Sequence, residues 1–288
     1  MKIVISGKDS YIGNHLEAWL NEHCRDCSVE QLEVRDDSWK TYDFCGTDVV
    51  IHVAGIVHQP KLTDEGLYER VNVELPVSVA KKAKASGVRQ FVFFSTMAVY
   101  GKEKSLSETV IDENTEIKPN SLYGASKYKA ELELSTLASP NFVLSIVRPP
   151  NVYGHGCKGN YIGGFRKLAR LPFPFPNAYG NLKQSMIYID NLCEAIRGLI
   201  EDEKGGVFCP QDPIAFSAVE LVRLIALAEG RKKHFSRFLG AFVGVFRWLP
   251  VVRKIYGGIE YSPKLSEQGR NYCVVGPEEG INRTINGG

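Results

Sequence analysis

The sequence is short of the features that mark several protein classes. Its 35 lysines and arginines nearly cancel its 33 aspartates and glutamates, for a net charge of +2. That balance offers no general partner in nucleic acid or an anionic membrane. A secretory leader needs an apolar core of ~7–15 residues, whereas the apolar run after Lys2 is about four, so no leader is expected. The most apolar later stretch, FLGAFVGVFRWLP (238–250), is too short to cross a bilayer and carries Arg247. It reads as a half-buried helix in preference to an interfacial anchor. The seven cysteines are odd in number and lack a disulfide-framework spacing, which suits a reducing, cytoplasmic location. Cys24 and Cys27 form a lone C-x-x-C. Without a second pair to complete four zinc ligands, they read as two thiols at a helix end. No other metal-ligand cluster, internal repeat or low-complexity segment is present.

What is present is alternation. KIVIS (2–6), DVVIHVAG (48–55), QFVFFST (90–96) and NFVLSIV (141–147) are continuous apolar runs of the kind buried on both faces of a parallel sheet. Helical spacing fills the intervals at 11–24, 66–86 and 121–137. This predicts a doubly wound sheet with right-handed crossovers. Only 23 residues separate Cys24 from DVVIH, too few for a full strand–helix–strand excursion of ~30 residues. One strand, VEQLEV (29–34), fits, so the sheet is expected to lack one edge strand. After Pro149 the composition shifts. RLPFPFPNAYG (170–180) reads as loop, SMIYIDNL (185–192) and GGVFCP (205–210) as strands returning to the sheet, and Ser217 with Glu220 as a capping box. The expected division is 1–150 plus 185–212 for a dinucleotide-binding domain and 151–184 plus 213–288 for a substrate region.

Three segments carry chemistry. SGKDSYIG (6–13) follows the first strand and opens a helix. Its glycines stand at Gly7 and Gly13, with Ser10 where a third is usual. FFSTMAVYG (93–101) ends a central strand at the carboxyl edge, where open sheets place ligands. In SLYGASKYKAE, Tyr123 and Lys127 stand four apart and share a helix face. A phenol near pKa 10 is a poor acid or base at neutral pH, and a neighbouring ammonium is expected to lower it.

Together with DVVIHVAG, VNVELP, RPPNVYGHG, MIYIDNL and the tail YSPKLSEQGRNY, these segments resemble the extended short-chain dehydrogenase/reductase family. The likeness is to its NAD-dependent epimerase/dehydratase type of nucleotide-sugar enzyme, UDP-glucose 4-epimerase-like, over essentially the whole chain. It implies a Rossmann-like sheet and hydride transfer at C4 of a nucleoside-diphosphate hexose. Tyr123 would move the proton, Lys127 would tune it and hold the nicotinamide ribose, and Thr96 would bond the reacting sugar oxygen. Gly7, Ser10, Tyr11, Ile12, Gly13, Ala54, Gly55 and Asn72 would serve the cofactor, and Asn151, Lys158 and Asn160 the substrate. An epimerase or a 4-keto-6-deoxy-sugar reductase uses the same trio, whereas a non-catalytic cofactor-binding scaffold typically loses Tyr or Lys. A homodimer through two helices is also implied.

Departures refine this. Dehydratases of the family follow the Thr with an acidic pair, and here stand Met97 and Ala98. Gln184 occupies a position where many relatives have arginine, with Lys183 as a substitute cation. His52 reads as a core histidine. Cofactor choice rests on Glu33, 20 residues beyond Gly13, which favours NAD through ribose hydroxyls, and on Arg35, which suits the phosphate of NADP. Glu33 inclines the expectation to NAD.

Overall fold

The apolar runs bounded by glycines and turns become strands of one parallel sheet. The computed structural model describes residues 1–57, 63–102, 105–157, 160–267 and 269–287. Strands β1 (Lys2–Ser6), β2 (Ser28–Leu32), β3 (Val49–His52), β4 (Gln90–Phe94), β5 (Val143–Val147) and β6 (Gly206–Phe208) lie in the order β6-β5-β4-β3-β1-β2. All the pairings in the sheet are parallel. Alternate residues feed opposite faces. Ile3, Ile5, Ile51 and Val92 enter one core with Leu16 and Leu20 of α1 (Tyr11–His23). Val4, Val50, Phe91 and Phe93 enter the other with Val79 and Ala83 of α2 (Leu75–Ala85) and Leu134 of α3 (Leu122–Ser135). Truncating a side chain such as Phe91, fully buried, to alanine costs about 3–5 kcal/mol. The result is the Rossmann-like doubly wound fold.

The missing strand lies outside β2. Where it would begin, the chain makes a short 3-10 turn (Asp37–Thr41), and Trp39 and Phe44 plug the core face instead. Farther on come α4 (Asn160–Arg170), α5 (Ile189–Glu201), α6 (Ala218–Ala228), α7 (Arg237–Val245), α8 (Pro250–Tyr256) and α9 (Pro277–Asn286). The capping box at Ser217 and Glu220 is formed at the start of α6.

Four local expectations are corrected. Of 185–192 only Met186–Tyr188 is extended, and it pairs with Asn151–Tyr153 outside the main sheet. Ile189 then starts α5, because Leu192, Cys193, Ile196, Leu199 and Ile200 recur at helical spacing and are all buried. The helix expected over 66–86 contains a π-helical turn at Glu69–Glu74. Cys24 and Cys27 are joined as a disulfide rather than standing as thiols. The turn after α1 sets their Cα atoms 5.4 Å apart, within bonding range. Finally, α7 is not half-buried: Phe238, Phe242 and Val245 are exposed. No helix among the described residues is long and apolar enough to cross a membrane, and no cluster of potential metal ligands occurs among them.

Candidate active site

The first loop is held by a glycine that no other residue could replace without strain. Gly7 has φ +123°, and a Cβ there would lie 2.8 Å from the Ala54 amide nitrogen. The loop after β1 therefore packs directly on the segment after β3. Ser10 caps α1, its hydroxyl accepting from the Gly13 amide at 3.1 Å, a cap worth about 0.5–2 kcal/mol. The Asn14 amide bonds the Ser10 carbonyl, so Tyr11 and Ile12 supply the other first-turn amides of the helix. The Tyr11 side chain turns elsewhere. Its buried hydroxyl faces Gly154, where a Cβ would lie 2.5 Å away, and burial pushes its pKa up.

At the end of β2, the Glu33 carboxylate accepts from the Val34 and Arg35 amides at 2.8 and 2.7 Å. Arg35 reaches back to donate to the Lys8 carbonyl at 2.6 Å. Both sequence-predicted selectors thus stand beside the glycine loop.

The second half of the site is built by close approach. Thr96 caps a 3-10 turn (Met97–Tyr100) and Ser121 caps α3. A Cβ on Gly124 would lie 2.6 Å from the Ala98 carbonyl, so only glycine lets α3 settle on that turn. The approach brings Tyr123 and Thr96 onto the wall of one cavity. Burial pushes the Tyr123 phenol up, the neighbouring Thr96 hydroxyl pulls it down, and Tyr68 pushes it up again.

Lys127 is buried, donates to the Phe94 carbonyl at 2.9 Å and lies 4.7 Å from the Phe93 ring centre. Burial pulls its pKa down to about 8, against an upward pull from Glu131. The expectation that this lysine lowers the Tyr123 pKa is therefore not met. Its charge is spent on Phe94, and burial dominates the phenol.

Asn72, fully buried in the π-helical turn, fastens the parts together. It accepts from the Ile56 amide at 2.8 Å and donates to the Ile56 carbonyl and Ser126 hydroxyl, each at 3.0 Å. Gly55 lies against both Asn72 and Lys127. On the buried face of α3, Glu131 accepts from Arg148 at 3.0 and 2.5 Å and from the Ser95 hydroxyl, while Arg148 also donates to Tyr100 at 2.9 Å. Glu131 and Arg148 were not singled out from the sequence. The continuing spacing of four from Tyr123 through Lys127 to Glu131 is the signal that would have found Glu131.

A cavity of about 420 Å³ joins Thr96, Tyr123 and Asn151. Its wall also holds Met97, Ala98, Lys102, Asn120, Gln184 and Ile259. Among the described residues no carboxylate adjoins Thr96 on this wall. Gln184 is 4% exposed and its Oε1 has no partner among the described residues. His52 is a core residue, bonded through Nδ1 to Ser6 at 2.8 Å and held down to about pKa 3 by burial and Lys127. Lys158 lies outside the described residues. Asn160 opens α4, and its side chain also lies outside them.

Residues 3–208 match the model of the NAD dependent epimerase/dehydratase family. The chain is 34% identical over 189 residues to a UDP-glucose 4-epimerase of Vibrio cholerae, covering 63% of this chain and 57% of that protein. It is 30% identical over 177 residues to an N-acetyl-alpha-D-glucosaminyl-diphospho-ditrans,octacis-undecaprenol 4-epimerase of Escherichia coli O157:H7, covering 60% and 52%. The chain thus spans about half the length of these curated relatives. In fold it resembles a UDP-glucuronic acid 4-epimerase from Bacillus cereus solved with NAD, at TM-score 0.76 and 17% identity, covering 100% of this chain and 96% of that one.

Proposed function

The chain belongs to the NAD dependent epimerase/dehydratase family, and from that premise we propose that it is a 4-epimerase of a nucleoside-diphosphate hexose, using NAD. The observation that carries the reading is that Thr96 and Tyr123 share the wall of one cavity at the carboxyl edge of the sheet, with Lys127 buried beneath. The two curated relatives support the substrate class, since both are named as 4-epimerases of a sugar carried on a diphosphate.

The residues present fit a dinucleotide. Gly7 leaves the loop free of a side chain at its tightest point, Tyr11 and Ile12 offer helix N-terminal amides, and Glu33, just past the end of β2, would take the ribose hydroxyls. Ala54, Gly55, Asn72 and Lys127 would form the far wall. When bound, the nicotinamide supplies the hydride acceptor and donor for C4. Tyr123 holds and returns the proton at the sugar 4-oxygen. Thr96, on the same cavity wall as Tyr123, orients that oxygen. Lys127 keeps a positive charge under the site below pH about 8. Asn151 and Gln184, with Lys158 and Asn160, would receive the diphosphate and sugar. Met97 and Ala98 offer no acid or base for water elimination, which disfavours a dehydratase.

A second reading, reduction of a 4-keto-6-deoxy sugar, uses the same groups but consumes the reduced cofactor. The discriminating assay incubates the protein with UDP-hexoses and with 4-keto-6-deoxy nucleotide sugars, with NAD(H) and NADP(H). Interconversion without net cofactor change supports the epimerase. Stoichiometric oxidation of the reduced cofactor supports the reductase. No turnover in either arm contradicts both. Pairing of two chains through α2 and α3 is tested by light scattering.

A further inference from the structure

Between Glu229 and Glu260 the chain has no acidic residue and seven basic ones, from Arg231 to Lys254. With +2 overall, that leaves the rest of the chain net negative. The same segment contains α7 and α8, and among the described residues it gathers many of the exposed large apolar side chains. Phe238, Phe242, Val245, Phe246 and Trp248 are 46–72% exposed. Helix α7 touches the body at Gly240, where a Cβ would lie 2.1 Å from the Asn177 carbonyl oxygen. Leu171 and Phe173, past the end of α4, are also exposed. They continue the patch across a groove of about 250 Å³ floored by Val243, Val252 and Ile255. Lys233 fastens this edge, donating to the carbonyls of Leu168, Leu171 and Phe173 at 2.8–3.1 Å.

We propose that this face docks the protein on an anionic bilayer surface. The aromatic side chains enter the headgroup–acyl boundary, and Arg237, Arg247, Arg253 and Lys254 meet lipid phosphates. Three features select this occupant. Neighbouring large apolar side chains exposed beside a polar rim mark an interaction site. Basic residues interleaved with aromatics, as in Phe246-Arg247-Trp248, suit the interface plane, where charged tips stay in water beside buried rings. A second copy is disfavoured, because two-fold pairing would set one uniformly basic segment against another. The balanced net charge hid this, since a whole-chain sum averages a basic face against an acidic remainder. Helix α8 leads through two glycines to Ile259 in the wall of the Thr96–Tyr123 cavity, so the docked face and the candidate site are neighbours along the chain. The docking is independent of the chemistry at Tyr123.

The test is cosedimentation of the full chain with phosphatidylcholine vesicles, with and without about 30 mol% phosphatidylglycerol. Binding to the anionic vesicles is expected, weakened by salt and roughly tenfold or more weaker on phosphatidylcholine alone. Phe242→Ser with Trp248→Ser, and separately Arg247→Glu with Arg253→Glu, should each weaken it by roughly tenfold or more. Circular dichroism and melting should stay unchanged, since these side chains are exposed, and Tyr123→Phe should bind as wild type. A second readout is a blue shift of tryptophan fluorescence on adding anionic vesicles, lost in Trp248→Phe. Absence of vesicle binding, or binding unaltered in both double variants, would overturn the proposal. So would a wild-type dimer that Phe242→Ser dissolves while vesicles bind neither form.

Discussion

Replacing Lys127 with methionine removes a buried ammonium and leaves an unbranched chain of similar reach. Burial holds this lysine at about 8, against an ordinary 10.5. At 1.36 kcal/mol per unit, the folded state carries a penalty of about 3 kcal/mol while the lysine is protonated. Loss of the bond to Phe94 returns about 1 kcal/mol to the wild type. The variant is therefore expected to be about 1–3 kcal/mol more stable at pH 7. The pH dependence has a definite sign. Below pH about 8 both folded and unfolded lysine are protonated, and the penalty is complete. Between about 8 and 10.5 the unfolded chain binds the extra proton, so wild-type stability rises and the gap closes. Urea denaturation of both proteins at pH 7, 9 and 10.5 measures this directly. Turnover should fall by about 10²–10⁴ in the same variant. A variant less stable than wild type at pH 7, or a gap that ignores pH, would refute the reasoning.

Other outcomes follow from single contacts. Asn72→Ala leaves the Ile56 amide, the Ile56 carbonyl and Ser126 without their partner, and should cost about 2–4 kcal/mol in the same denaturation assay. Glu131→Gln breaks the buried pair with Arg148 and should cost about 3–5 kcal/mol. Ser10→Gly should change stability by only a few tenths of a kcal/mol, roughly, because glycine is an acceptable cap. Its effect on cofactor affinity by titration calorimetry should stay under about a hundredfold, or 2.7 kcal/mol, and a larger gain would mark Ser10 as damage to the loop. Glu33→Ala should weaken NAD more than NADP, and Arg35→Ala the reverse. Unchanged NAD affinity in Glu33→Ala would remove the basis for choosing NAD.

The parts of this fold that sequence exposes are those with periodic patterns. The apolar strands and the capping box at Ser217 are local, so they can be read from neighbouring residues. The short interval before DVVIH likewise foretells the absent edge strand, because chain length bounds what can be folded. Tertiary approach cannot be read in that way. Gly124 looks like any helix glycine until the Ala98 carbonyl is found against it, and the π-helical turn that seats Asn72 leaves no mark in the pattern. Gln184 and Ile259 reach the cavity from distant segments, and Arg148 finds Glu131 across the sheet. At 185–192 a short apolar run fits either the strand or the helix period, and the chain passes from one to the other at Ile189. At residues 238–250 apolar content suggests burial, whereas in the helix only Gly240 is fully buried and Phe238, Phe242 and Val245 face outward. The Tyr–Lys spacing gave the residues but not their state, since the balance between burial and charge depends on where the lysine points.

The most direct measurement follows the configuration at C4 of a UDP-hexose by proton NMR, with wild type and Tyr123→Phe side by side and bound cofactor quantified in both. Proton transfer by Tyr123 predicts interconversion by wild type, a loss of about 10²–10⁴ in rate for Tyr123→Phe, and equal cofactor content. Full activity in Tyr123→Phe would contradict it.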